Sequence, residues 1–192
     1  AYINALTKNT NITDRASWEK RILGLGSPKF DKISQQRRED FTLPDEWKKL
    51  LNGKKAVLYN TSISSMLKNT DNYLPKIRSV LSTFKNQKDV VLWWRPHPLL
   101  EATFRSMRRD ALEEYQQLVD DYRKGGWGIY DDTADLDRAI VCTDGYYGDW
   151  SSVVQLYEVT GKKMLIQNLG DDEKDSNSKD SKLSKVEIVT KT

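Results

Sequence analysis

His97 is the only histidine in 192 residues, and it stands in Arg95-Pro96-His97-Pro98. Two prolines hold that segment extended and stiff. An imidazole there can exchange a proton near neutral pH. Arg95 beside it can fork two phosphate oxygens. Together they suit a diphosphate, although a lone histidine in a stiff loop can equally serve a local hydrogen bond. A second group follows 46 positions after His97, in Thr143-Asp144-Gly145-Tyr146-Tyr147-Gly148-Asp149-Trp150-Ser151-Ser152. Ser151 and Ser152 stand directly before Val153, Val154, Leu156, Tyr157 and Val159, which recur at helical spacing. The start of a helix presents unpaired N–H groups and the positive end of its dipole, so the two serines mark a phosphate seat. They also read as plain helix caps. Asp144 and Asp149 are caps or loop-formers by type. Beside a phosphate their charge would repel it, so they are expected to face ribose hydroxyls, backbone N–H groups or the acceptor. Tyr146 and Tyr147 read as loop aromatics that stack on a base or sugar, or as ordinary lid packing.

These residues need a scaffold that brings three loops together: 60–65, 95–98 and 143–152. Residues 139–168 read as strand (139–142), polar loop (143–149), helix, a stop at Gly161 and a second strand (164–166), which makes a βαβ unit with buried parallel strands. Upstream, 22–25 reads as a strand, followed by a turn at Gly26-Ser27-Pro28. Pro44 with Asp45 and Glu46 starts a helix carrying Trp47, Leu50 and Leu51 to Gly53. A strand at 56–59 leads to a helix at 73–84 with Pro75 in its first turn. A strand at 90–94 follows, with Trp93 and Trp94 expected in the core. One long helix spans 99–122, ended by Gly125-Gly126, and then come a short strand (127–130) and a helical or turn segment (133–137). The fold class is α/β: an open, mainly parallel Rossmann-like sheet with helices on both faces, binding ligands outside the strands' carboxyl ends. The expected organisation is a lead-in at 1–21, a nucleotide-donor-binding domain at 22–168 and a polar, loose tail at 169–192. Within that tail, 186–189 forms a last edge strand or an ordered end.

Composition narrows the classes. Mean hydropathy of −0.72 and 31% charged residues, with no long apolar run, exclude a membrane-spanning helix. A net charge of +3 permits an acidic ligand or surface without demanding one. A single cysteine, Cys142, cannot close an internal disulfide, and its apolar setting suggests a buried thiol in a reducing, cytoplasmic compartment. The opening Ala-Tyr-Ile-Asn, without Met, suggests a piece of a longer protein. One His and one Cys exclude a conventional Cys/His zinc site, and neither a Walker-type phosphate loop, a GxGxxG fingerprint nor a GxSxG elbow is present. Arg105, Arg108 and Arg109 lie near Glu113 and Glu114, which reads as a solvated helix face and not a nucleic-acid groove.

Three blocks in order resemble one family. Leu25-Gly26-Ser27-Pro28-Lys29-Phe30-Asp31 is similar to a Gly-x-Pro-Arg-Asn-Asp segment; Arg95-Pro96-His97-Pro98 to an x-x-His-Pro segment after a strand; and Thr143-Asp144 with Asp149-Trp150-Ser151-Ser152 to a Thr-Asp-Tyr-Ser-Ser segment. These are segments of the C-terminal, nucleotide-binding half of CDP-glycerol glycerophosphotransferases, the enzymes that polymerise teichoic acids, and of their relatives in bacterial surface-polysaccharide clusters. The resemblance runs over 22–168. It implies the C-terminal half of a GT-B architecture, two Rossmann-like domains facing across a cleft. It implies transfer of a glycerol-phosphate or related alditol-phosphate or glycosyl unit from a CDP-glycerol-like donor to a cell-surface polymer. His97 would lie beside the donor diphosphate as the catalytic residue, and Arg95, Ser151 and Ser152 would hold donor phosphate. Asp144, Tyr146, Tyr147 and Asp149 would form the nucleotide or acceptor loop. The family's compact segment is stretched here, so Asp144 and Asp149 both stand as counterparts of its loop Asp. Trp150 replaces its Tyr, and Lys29 its Arg.

No cofactor or metal is expected beyond the nucleotide-diphosphate donor. The expected partners are that donor and a polymer or lipid-linked acceptor held through an N-terminal domain, with peripheral association at the inner membrane face. No nucleic acid is expected. The isolated piece should turn over poorly, because orienting two reactants supplies much of the barrier reduction. Two other readings stand beside this one: a non-catalytic module for phosphoglycans or proteins, and an epimerase-like sugar-nucleotide enzyme.

Overall fold

The computed structural model describes residues 25–167 and the strand at 186–189. Residues 22–24 of the expected strand and most of the polar tail lie outside the described residues, and Leu25 is exposed and not in a strand. The described chain runs α1 (Pro28–Gln35), a 3-10 turn (Arg38–Asp40), α2 (Asp45–Leu51), β1 (Lys55–Thr61), α3 (Ile63–Lys68), α4 (Thr70–Lys85), β2 (Val90–Pro96), α5 (Leu100–Met107), α6 (Arg109–Gly125), β3 (Ile129–Tyr130), α7 (Leu136–Cys142), β4 (Gly145–Gly148), α8 (Ser152–Glu158), β5 (Lys163–Gln167) and β6 (Val186–Val189). Sheet order is β3-β2-β1-β4-β5-β6. The first five strands are parallel, and β6 pairs antiparallel with β5. This is the doubly wound α/β order, with the direction of winding reversing between β1 and β4.

Strand side chains alternate between two cores. Leu58, Trp93, Tyr146 and Ile166 meet α1, α2, α7 and α8 through Ile33, Trp47, Ile140, Val154 and Tyr157. Tyr59, Leu92 and Trp94 meet α3 to α6 through Met66, Ile77, Phe104, Tyr115 and Tyr122. Trp93 and Trp94 are both fully buried, on opposite faces.

The largest departure from the sequence reading lies in 139–149. Ala139, Ile140, Val141 and Cys142 end α7, and the strand is Gly145–Gly148. A short, wholly buried apolar run has the same composition in a helix as in a strand. Asp135 decides it: its side chain accepts from the Arg138 amide at 3.0 Å and starts the helix. Gly-Tyr-Tyr-Gly then alternates, with Tyr146 on one face and Tyr147 on the other. Gly148 has φ +149°, and a Cβ there would lie 2.3 Å from the Asn60 carbonyl oxygen, so only glycine lets β4 approach β1 this closely.

The long helix divides at Arg108, whose φ −141° and ψ 59° are not helical. Arg108 holds Asp110 at 2.9 Å and Asp71 of α4 at 3.3 Å. The break lets Phe104 and Tyr115 stack at 4.9 Å, residues that one straight helix would set about 16 Å apart along its axis. Helix α4 begins at Thr70, so Pro75 lies in its second turn and not its first. Strand β2 continues through Arg95 and Pro96, so the loop begins at His97.

Candidate functional site

Helix α3 leaves the end of β1 for one face and α8 leaves the end of β4 for the other, which opens a crevice where open α/β sheets hold ligands. Two loops continue the ladder on either side of β1. The His97 amide donates to the Thr61 carbonyl at 2.9 Å, and the Asp149 amide to the Asn60 carbonyl at 2.9 Å. His97 and the 149–152 segment therefore share one rim, with a single strand between them. At a strand spacing of about 4.8 Å, their backbones are about 10 Å apart.

The His97 side chain is exposed. Its Nδ1 accepts from the Leu99 amide at 3.1 Å, so the neutral ring carries its proton on Nε2, free for a ligand. The local hydrogen bond and an outward donor thus coexist. Pro96, His97 and Pro98 line one end of a cleft of about 560 Å³ whose walls include Glu101, Tyr115 and Tyr130. That size suits a small-molecule group.

Ser151 caps α8: its Oγ accepts from the Val153 amide at 3.2 Å and also from Asn60 Nδ2 at 3.2 Å. The Val154 amide bonds the Ser151 carbonyl. Two of the N–H groups expected to be open are thus occupied inside the turn. Ser152 is exposed beside them, and Trp150 projects outward at 59% exposure.

Asp149 is 1% exposed. One carboxylate oxygen accepts from the Ser62 amide at 2.7 Å, and the other from Lys76 Nζ at 2.5 Å. Lys76 Nζ also donates to Ser65 Oγ at 3.2 Å. Burial pulls the Lys76 ammonium below its usual range, opposed by Asp149. Burial and then the Asp149 charge push the Tyr59 and Tyr73 phenols well above theirs. The Asp149 carbonyl accepts from Tyr146 Oη. This network binds the ends of β1 and β4 and the flank of α4 into one unit. Lys76 was not singled out from the sequence, whereas Asn60 and Ser62 fall in the 60–65 loop expected at the site. The signal for Lys76 was present: it interrupts the apolar stripe of Tyr73, Ile77 and Val80.

The other expected site residues lie elsewhere. Asp144 precedes β4, at the opposite end of the sheet, where its amide donates to the Ala56 carbonyl and its carboxylate accepts from the Ala56 amide at 2.8 Å. Lys55 and Arg38 lie 3.5 and 3.6 Å away. Asp144 and Asp149 bracket the four residues of β4, so they are about 16 Å apart along the strand. Of the two counterparts, Asp149 is the one at the rim. Arg95 is committed to Asp131 at 3.0 Å and to the Thr133 carbonyl at 2.7 Å, in the core between β2 and β3, so its fork is not offered to a ligand. Tyr146 and Tyr147 are strand residues and not loop aromatics. Tyr146 is 2% exposed against Tyr157, and Tyr147 stacks on Tyr59 at 5.7 Å. Cys142 is buried, and burial raises its thiol pKa. Among the described residues no helix is long and apolar enough to cross a membrane.

A family model described as CDP-Glycerol:Poly(glycerophosphate) glycerophosphotransferase matches residues 2–175. Neither the curated proteins nor the solved structures gave a significant match. The match extends across β1 to β5 with both rim loops, and the chain belongs to the CDP-glycerol:poly(glycerophosphate) glycerophosphotransferase family of transferases.

Proposed function

We propose that this domain seats the diphosphate of a CDP-glycerol-like donor over the end of β1, for transfer of its glycerol-phosphate unit to a growing cell-surface polymer at the inner membrane face. The observation that carries the reading is the placement of His97 and Ser151–Ser152 on one rim, flanking β1 at the reversal of winding. His97 Nε2–H donates to a phosphate oxygen and steadies the charge that builds as the nucleotide leaves. The Ser152 and Ser151 end of α8 closes the other side. An acceptor hydroxyl attacks the β-phosphorus in line: a new O–P bond forms on the acceptor as the bridging bond to the departing CMP breaks, and the hydroxyl proton is released to solvent. The cleft beside His97 takes an uncharged part of the donor, because among the described residues its lining carries Glu101, Asp120 and Asp132 against the single cation Arg123, which pairs with Asp132, and so repels a second phosphate. The acceptor is held by parts of the protein outside the residues described here, with the whole enzyme peripheral to the membrane.

Calorimetric titration with CDP-glycerol, CMP and a UDP-sugar tests the reading. CDP-glycerol should bind selectively, and His97→Ala and Ser151→Ala should each weaken it by roughly tenfold or more, the worth of one charge-assisted or oriented hydrogen bond. Equal affinity in the variants, or no nucleotide binding at all, would sink it in favour of a non-catalytic module.

A further inference from the structure

We propose that Lys76 is a positioning residue of the nucleotide site, cancelling the charge of Asp149 beneath the diphosphate seat and locking the two turns that line it. The inference rests on the phosphate reading above. A carboxylate at the rim of an anion site is a contradiction in chemistry, and Asp149 is such a carboxylate. The structure resolves it from below. Lys76 lies on α4 with its side chain 5% exposed, and it is the one cation paired with Asp149 among the described residues. Arg95, the nearest cation in sequence to His97, is taken by Asp131 and contributes nothing there.

Burying two opposite charges is costly, and an apolar pair of similar volume would fill the same space without that cost. Stability is therefore a poor reason for the pair. What the pair supplies is specific to the rim. The carboxylate fixes the Ser62 amide, the ammonium fixes the Ser65 hydroxyl, and Ser62 Oγ accepts the Ser65 amide at 3.1 Å to start α3. The Asp149 backbone in turn holds the start of the Trp150–Ser151 loop through Asn60 and Tyr146. Lys76 thus sets the geometry of both turns while leaving zero net charge under the ligand.

The test is a double-mutant cycle on the full chain, read as Kd for CDP-glycerol by calorimetry with circular dichroism on each variant. Lys76→Met should weaken binding on the order of tenfold to a hundredfold, the scale of one uncompensated charge near an anion. That deficit should shrink at high salt, since repulsion is screened. Asp149→Asn can still accept from the Ser62 amide but turns an NH2 donor toward the Lys76 ammonium, so it should also lose affinity, less than Lys76→Met does. The pair Lys76→Met with Asp149→Asn should regain most of the loss. Wild-type affinity in a folded Lys76→Met protein overturns the proposal, as does an equal loss in both single variants and the double. If Lys76→Met does not fold, the uncharged double variant Lys76→Met with Asp149→Asn decides: affinity within a few-fold of the unaltered chain supports the proposal and a loss as large as that of Asp149→Asn alone overturns it. An unaltered chain that binds no CDP-glycerol removes the phosphate reading and this proposal with it. Binding in the unaltered chain with no effect of the charge changes removes this proposal only.

Discussion

Asp149 and Trp150 are neighbours with opposite fates, and single substitutions should separate them. Asp149 is buried under four hydrogen-bonding partners at its side chain and backbone. Asp149→Ala leaves Lys76 buried and unpaired, and should cost about 3–5 kcal/mol in a urea unfolding curve. Trp150 is 59% exposed, and Trp150→Ala should keep the unfolding midpoint within about 0.5 kcal/mol of the parent. At this scale the sequence was readable where chemistry and geometry coincide. His97 stands at a strand end because an apolar run stops there, and Ser151 caps a helix because an apolar periodicity begins there. Tyr146 and Tyr147 were misplaced for a physical reason: a Gly-rich, Tyr-rich stretch suits a loop as well as a tight strand, and only contact with β1 decides between them. The commitment of Arg95 to Asp131 depends on a partner 36 positions away, which no local pattern announces.

Elements show the same division. Helices α2, α4 and α8 and strands β1, β2 and β5 follow from periodicity and caps. The α7–β4 segment does not, because seven buried residues carry no distinguishing pattern. Its fixation comes from afar. Lys162 Nζ donates to the carbonyls of Ile140, Val141 and Thr143 at 3.0, 2.7 and 2.6 Å, and Arg38 bonds that of Cys142. These are the orphan carbonyls of a helix end. Lys162→Met should therefore cost about 1–3 kcal/mol and raise hydrogen exchange in α7 first. Asp144→Asn, at the same end of the sheet, should lower stability slightly yet leave CDP-glycerol affinity unchanged. A loss of affinity there would return Asp144 to the site.

For the whole molecule, aromatic burial sets the response to alkali. Burial raises the phenol pKa of Tyr59, Tyr73, Tyr115, Tyr122, Tyr146 and Tyr157 above the ordinary value of 10.0. Each of these groups holds its proton more tightly folded than unfolded. Their contribution is thus complete below about pH 10 and is lost as pH rises beyond it. Tyrosinate absorbance should appear in one cooperative step that coincides with loss of circular dichroism. A smooth titration centred near pH 10 in a protein that stays folded would contradict the burial of these rings.

The sheet ends differently at its two borders. On one side β3 is only two residues long, and on the other β6 runs against β5 in the opposite sense. Among the described residues neither border offers a long parallel strand with open backbone groups, the usual template for chain-to-chain zippering. Cutting the chain before Val186 would uncover the whole of β5, and such a shortened protein should self-associate in size-exclusion chromatography where the parent does not. Strand β6 would then be a sheath that keeps neighbouring copies apart.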